Sequence, residues 1–481
     1  MLLLIICHRL LETPLWGYNG ARLMPSFALA RGVDYYVLLP PGGPLYDSLY
    51  GPLAAIVYLP ATWFPSPNSA VLAGAVITMI LCYAAAAFLH LGPLGADRGA
   101  ADWLAFLTAG FLMCFLEPLK YSCFNIHADG PGLACGAVAC GALCAGRSVK
   151  WRAALPLSAL FAVLAVFCKQ PFLPIPLALL AYLWVAEGRA QAFRYLLWLA
   201  VAGGLAGGAA LVVIGPERLY HCLIWVPAHH PWYPPSRLVS AIQSARSFIR
   251  LSLTVLVLLL ACALYGWPEA RLRGLRAVAA HRAAPLLLVG VTLLPFSIAG
   301  RAKVGGDVNS LSFALFFLTC GLTVLLADSA RSAPVAGTRR LALSVLAAIL
   351  LPLALSEAPL ILDIPASIRR LPQAPQEVAL NYLRRHPGEA YFPWLPQSHY
   401  FAGRQFYHYA FGIADRLMAG DPVNEAEFRA YIPKDPRAIA FAADGTPQVA
   451  GFDLMHFLPA YRYPVQDPEL PGWTVYERVP K

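Results

Sequence analysis

The stretch that decides how this chain is read is Trp16-Gly-Tyr-Asn-Gly-Ala-Arg22, continuing through Gly32-Val-Asp-Tyr-Tyr36 to Tyr46-Asp-Ser-Leu-Tyr50-Gly-Pro52. It lies between the apolar start Met1–Cys7 and a long apolar run at 68–91. Helices in a bundle are normally joined by only a few residues. This connection is long, rich in aromatic rings, and carries three acids, Glu12, Asp34 and Asp47. Met1–Cys7 is too short to cross a bilayer and has neither a basic leader nor a small-residue cleavage site. It reads as the tail end of a first span whose true start lies upstream.

Composition sets the class. Of 481 residues, 59% are apolar and only 13% charged, with a mean hydropathy of +0.59. A soluble domain is about a quarter charged, so this is a polytopic membrane protein. The net charge of +10 reads as the Lys/Arg bias of cytoplasmic loops plus contact with anionic lipid. No basic cluster interleaves with aromatics as nucleic-acid binding requires, and none is expected. Most of the eleven cysteines fall inside apolar runs, where Cys behaves as a small hydrophobe, and no CxxC pair occurs. Neither a disulfide framework nor a zinc site is expected.

Apolar runs at 68–91, 103–117, 130–146, 153–168, 172–186, 195–214, 248–267, 283–299, 309–327 and 340–356 make, with the start, an all-α polytopic protein of about eleven transmembrane helices. If the runs alternate, the loops carrying Arg98, Arg147, Lys150, Arg152, Arg189, Arg194, Arg271, Arg273, Arg276, Arg282, Arg331, Arg339 and Arg340 share one side. The positive-inside rule makes that side cytoplasmic. The other side then receives 8–67, 118–129, 169–171, 215–247, 300–308 and everything after 356. Segment 51–67, broken by Pro52, Pro60, Pro65 and Pro67, cannot be a span without inverting the later loops. It is expected to be a juxtamembrane helix at the outer surface.

Two domains follow, a membrane domain over 1–356 and a soluble outer domain over 357–481. The tail is polar at soluble density. Pro375–Arg385 has helical spacing, and Glu389–Phe392, Ala438–Phe441 and Trp473–Tyr476 look like short strands. A small C-terminal α/β domain is expected.

Five polar constellations fall on the outer side. The first is the opening loop, whose acids could serve as a general base beside ring faces suited to sugars. The second is Asn125-Ile-His-Ala-Asp-Gly-Pro131, which places His127 and Asp129 at the outer head of a span. Ionisable groups there are costly unless used or paired, although Asp129 could also simply cap the helix. The third is Lys169-Gln170-Pro171, a tight turn whose lysine could meet a phosphate or snorkel to the interface. The fourth is Trp225-Val-Pro-Ala-His-His-Pro-Trp-Tyr233. Its adjacent His229 and His230 point apart and make no metal site unaided. The fifth is Gly300-Arg-Ala-Lys-Val-Gly-Gly-Asp-Val-Asn309, where Arg301 and Lys303 precede a glycine pair, Asp307 and Asn309. Glycines admit an anion to the backbone N–H groups at a helix start.

Asn19-Gly-Ala-Arg22, Gly32 to Tyr36, Tyr50-Gly-Pro-Leu53, His127-Ala-Asp129, Lys169-Gln170 and Gly305-Gly-Asp-Val-Asn309 together resemble the GT-C superfamily of membrane glycosyltransferases. The likeness is closest to the protein mannosyltransferase-like and Rgt-like branch. The resemblance implies transfer of a sugar from a polyprenyl-phosphate donor to a glycan, lipid or protein acceptor at the outer face of the cytoplasmic membrane, with inversion. It implies a first-loop acid as base, Asp129 as a second catalytic acid, and no metal or other cofactor, although a divalent cation is compatible with it. His127, Lys169, Gln170, His229, His230, Arg301, Lys303, Asp307 and Asn309 would hold the lipid phosphate and substrate. Asn19, Arg22, Tyr36 and Tyr50 would wall the acceptor side. The chain departs from the family where relatives carry the first-loop acid, since it has Asn19 there. Asp34, Asp47 or Glu12 then takes the role, with Asp34 ahead of Asp47, or the reaction is altered. The alternatives are a transporter or flippase of lipid-linked sugars and a degenerate assembly protein. Charge gathered at the outer ends rather than the bilayer midplane favours surface chemistry over transport.

Overall fold

A computed structural model describes residues 1–38, 42–46, 48–92, 99–149, 153–234, 236–261, 281–332, 336–443, 445–449, 451–461 and 464–479. The chain forms two compact units. One comprises 1–7, 78–209 and 232–362, and the other 8–77, 210–231 and 363–481.

The first unit is built of apolar helices. Among the described residues, five helices of the chain are long and apolar enough to cross a membrane, or seven if each of two bent pairs is one span. The five include Pro67–Leu91, Arg189–Ile214 and Ala284–Ala302. The bent pairs are Ala100–Phe115 with Glu117–Phe124, at 92°, and Arg237–Leu251 with Leu253–Ala261, at 69°. Asp129–Ala145, Ala154–Cys168 and Gln170–Ala186 are shorter apolar helices. The apolar runs of the sequence fall on these helices. One difference is that the run at 248–267 begins inside a helix that starts at Arg237 and then bends.

Small residues set the helix spacing. In the helix Asp129–Val149, a Cβ on Gly136 would lie 2.7 Å from both Ile175 and Phe317, and one on Gly132 would enter the Phe172 ring. Only glycine permits that approach, and close backbone packing replaces the hydrophobic drive that lipid does not supply.

Charge separates to the two ends of this bundle. Asp129, Lys169 and Asn309 gather at one end. Where the same helices finish, Asp102 receives Arg282 Nη2 at 2.8 Å and Arg331 Nη1 at 3.0 Å, and Arg282 Nε meets Asp328 Oδ1 at 2.7 Å. Cys144 Sγ lies 3.2 Å from the Arg282 carbonyl. The helices Asp129–Val149 and Ser312–Ser332 run between the two ends. Of the basic residues assigned to one side from the sequence, Arg98, Lys150, Arg152, Arg271, Arg273 and Arg276 lie outside the described residues, as do the side chains of Arg147, Arg339 and Arg340.

The second unit carries the opening loop and the tail. Segment 51–67 is not the single helix expected. It holds a four-residue turn, Leu53–Ile56, and a 3₁₀ stretch, Leu59–Trp63, before a long helix starts at Pro67. Pro60 removes a backbone donor and clashes with the preceding turn, so no continuous helix can pass through it.

The tail forms a small α/β structure. Strands β1 (Ala390–Tyr391), β2 (Ala438–Phe441), β5 (Pro464–Val465) and β6 (Thr474–Glu477) make one sheet in the order β1-β2-β6-β5. The pair β1–β2 is parallel and the others are antiparallel, with Ala438 opposite Glu477 and Phe441 opposite Thr474. Strands β3 (Gln448–Val449) and β4 (Phe452–Asp453) form a separate hairpin. All four residues of β2 are buried, which explains its unbroken apolar sequence at the centre of the sheet. The helix Pro375–Arg385 buries Ala379, Leu380 and Leu383, as its spacing predicts.

Candidate active site

The first unit brings four expected residues together. Asp129 is the first residue of its helix and is fully buried. Its Oδ1 accepts from Lys169 Nζ at 2.7 Å, and its Oδ2 lies 2.7 Å from His127 Nδ1 and accepts from Asn309 Nδ2 at 2.5 Å. His127 and Lys169 are also buried, at 4% and 8% exposure. The Lys169 ammonium stands 4.9 Å from the centre of the Phe313 ring, and the edge of His127 meets Tyr121. Each member comes from a break between apolar helices, where side chains can converge without interrupting a helical ladder. Lys169 caps Ala154–Cys168 in an extended conformation, and Asn309 sits in the 3₁₀ turn Val308–Leu311 ahead of Ser312–Ser332.

This geometry recasts Asp129. Its carboxylate is shielded from solvent and occupied by an ammonium, an imidazole and an amide. Such an acid is a poor proton acceptor and a good anchor, because it fixes Lys169 and His127 at the end of the bundle. Gln170 follows Lys169 in a 3₁₀ turn and is half-buried.

The turn 301–307 is more ordered than a plain glycine loop. Arg301 Nη1 donates to the Gly306 carbonyl at 2.9 Å, and a Cβ on Gly306 would strike the Gly300 carbonyl. Gly305 adopts φ +82°, a left-handed conformation that glycine alone takes readily. Lys303 bridges antiparallel to Trp232, with Tyr233 N donating to the Ala302 carbonyl at 3.0 Å. Burial and the nearby Arg237 charge hold the Lys303 ammonium below its ordinary pKa. Asp307 caps the next turn, accepting from Val308 N at 2.6 Å. Its place is therefore structural.

The remaining expected residues lie in the second unit. Asp34 is exposed and pairs with Arg218 Nη1 at 2.8 Å. Asp47 lies outside the described residues. Asn19, where a base is expected in relatives, is fully buried and donates to the Thr13 carbonyl at 2.9 Å, so it ties the loop together. The Arg22 guanidinium covers the Trp16 and Tyr18 rings, 5.4 and 5.9 Å from their centres. Tyr36 donates to the Tyr50 carbonyl at 2.5 Å, and burial raises its phenol pKa. His229 is exposed and stacks on Trp225 at 4.4 Å, while His230 is buried 3.7 Å from Asp415. Glu12 shares Arg370 with Asp363 beside His8. His8, Glu12 and Asp363 could gather a cation, and the Arg370 guanidinium already donates to both carboxylates.

Sequence reading missed several partners. Ser122 donates to Ser312 at 2.8 Å, tying two helices beside the Asp129 cluster. Arg416, on the helix Ala410–Met418, joins His221 and Asp421 in a nearly buried network. The adjacent Asp415-Arg416 pair in an otherwise apolar helix was a readable signal, since buried charges demand partners.

No protein-family model matches the chain, and no curated protein matches it. Among solved structures, that of ArnT from Cupriavidus metallidurans bound to undecaprenyl phosphate aligns with 99% of this chain and 96% of that one. The TM-score is 0.57 at 11% identity. The chain shares the fold of that structure, in line with the GT-C-like fold expected from its sequence. At that identity the likeness is one of fold, and it spans both units. It agrees with the many apolar helices and small C-terminal sheet expected from the sequence, and with a multi-pass membrane protein.

Proposed function

We propose that this protein is a membrane glycosyltransferase using a polyprenyl-phosphate sugar donor. One observation carries the reading. In a GT-C fold, Asp129 fixes a buried lysine at the end of the helix bundle, and the turn bearing Arg301 and Lys303 follows the span that ends beside Asn309. ArnT with undecaprenyl phosphate bound shares that fold. Cations held in a water-poor site stabilise the charge that grows on a leaving phosphate.

In this reading an acceptor hydroxyl oxygen attacks the anomeric carbon from the face opposite the phosphate. The new C–O bond forms as the carbon–phosphate oxygen bond breaks, and its electron pair leaves on the phosphate. Lys169, Arg301 and Lys303 balance that charge, so a metal is assigned no role. The hydroxyl proton passes to a first-loop carboxylate, Asp34 or Asp47, and the anomeric centre inverts. Gln170, His127 and Asn309 position the donor, and His229, His230, Arg22, Tyr36 and Tyr50 flank the acceptor. The site faces outward from a cytoplasmic membrane, with 357–481 on that side. The protein mannosyltransferase-like and Rgt-like branch is the finer placement we attach to the His127-Ala-Asp129 and first-loop motifs.

The test is transfer from radiolabelled polyprenyl-phosphate sugars in membranes containing the full chain. Transfer should be lost in Lys169→Met, lost in Asp34→Asn where Asp34 rather than Asp47 is the base, and weakened in Arg301→Ala. Movement of intact lipid-linked sugar across vesicles without transfer would instead establish a flippase. Equal transfer in all three variants would overturn the site assignment.

A further inference from the structure

The helix Arg237–Leu251, Arg-Leu-Val-Ser-Ala-Ile-Gln-Ser-Ala-Arg-Ser-Phe-Ile-Arg-Leu, is turned inside out by the standards of a soluble protein. Its buried face carries Ser240, Ser244 and Phe248, spaced i, i+4 and i+8 and packed toward the span Ala284–Ala302. Its outward face carries Leu238, Ile242 and Ile249, exposed by 70%, 44% and 56%. These three recur at i, i+4 and i+11 and so form one stripe along the helix. Arg246 and Arg250, also exposed, sit one turn apart on the strip beside it. The helix contains no acid. It meets the next apolar helix, Leu253–Ala261, at 69°. The two therefore do not run on as one straight helix.

We infer that this helix lies in the membrane surface and binds anionic phospholipid headgroups through Arg246 and Arg250, with Leu238, Ile242 and Ile249 in the acyl boundary. Three observations select that occupant. An apolar stripe bordered by cations is the arrangement that an interface rewards. The charge is uniformly positive, complementary to anionic lipid and repulsive toward a second copy of the same helix. The helix bends directly into the apolar helix Leu253–Ala261 and packs on Ala284–Ala302, which is long and apolar enough to span, so the stripe adjoins apolar helices. Trp232, which precedes the helix, is an interfacial residue type. The inference does not depend on the transferase reading.

The test places a fluorescent amino acid at position 242 of the full chain, in vesicles containing brominated phosphatidylglycerol or brominated phosphatidylcholine. Quenching should favour phosphatidylglycerol by about fivefold for each arginine, the equivalent of about 1 kcal/mol per charge near the surface. Arg246→Gln with Arg250→Gln should abolish the preference, and Arg246→Lys with Arg250→Lys should keep it. The lysine variant separates lost charge from lost folding. Equal quenching by both lipids would overturn the headgroup assignment. Absence of quenching by either would show that protein covers this face, and would overturn the inference outright.

Discussion

Lys169 Nζ lies 2.7 Å from Asp129 Oδ1, and neither side chain is appreciably exposed. This pair joins the turn after one helix to the first residue of another. Breaking one side of a buried pair costs about 3–5 kcal/mol, because the surviving charge is stranded. Asp129→Asn should therefore lower the thermal unfolding temperature of the detergent-solubilised protein markedly. Asp129→Asn with Lys169→Met should recover much of the loss while remaining inactive. Equal stability of the single and double variants would show that the pair is not coupled.

Arg301 and Lys303 should separate kinetically. Arg301 closes its own turn through the Gly306 carbonyl, so Arg301→Ala loosens the loop and should raise KM for the donor. Lys303→Ala leaves that closure intact and removes a charge from the turn. It should lower kcat by about 10²-fold if its ammonium meets the leaving phosphate in the transition state. Steady-state transfer kinetics on the two variants would distinguish the roles.

Asp34 is exposed and paired only at the surface, and surface substitutions away from special features usually change stability by less than about 0.5 kcal/mol. Asp34→Asn should leave the unfolding temperature unchanged. If Asp34 is the base, transfer should fall about 10²–10⁴-fold. Retained transfer would pass the role to Asp47.

Two buried histidines should make stability depend on pH. His399 Nε2 accepts from Phe392 N at 3.0 Å, and His408 Nδ1 accepts from Leu45 N at 2.8 Å. Burial lowers their pKa values from 6.5 to about 3 and about 4. Between those values and 6.5 the unfolded chain binds more protons than the folded one, so stability rises with pH. The contribution is complete above about pH 6.5 and is lost as pH falls toward 4, at up to about 1.4 kcal/mol per pH unit for each histidine. Unfolding temperatures between pH 7 and 4.5 should fall accordingly. His408→Asn should flatten the slope, because an amide oxygen can accept the same bond without titrating.

Gly136 should tolerate no large side chain, since even a Cβ would lie 2.7 Å from Ile175 and Phe317. Gly136→Leu should reduce the yield of folded protein from membranes, by overpacking worth about 1–3 kcal/mol or more. Size-exclusion chromatography of the solubilised chain would register it.

Much of the architecture was legible because a bilayer imposes strong rules. Apolar runs at 130–146 and 309–327 had to be helices, since only internal hydrogen bonding satisfies a backbone in lipid. The tail elements at Pro375–Arg385 and Ala438–Phe441 were visible in their periodicity. The cluster was legible only in part. His127, Asp129, Lys169 and Asn309 could each be named as polar residues in costly places.

That these four meet was decided by tertiary structure, because their partners come from segments up to 180 residues apart and side-chain convergence leaves no local period. The same holds for Asn19, whose bond to Thr13 makes it a staple of the loop, and for Ser122 with Ser312. The proline-broken piece at 51–67 shows a local rule prevailing over an expected helix. By itself, the sequence determined the class of fold, since hydrophobicity acts residue by residue. Only the folded chain decided that Asp129 is an anchor, because burial and three converging donors belong to a place in space and not to a position in the chain.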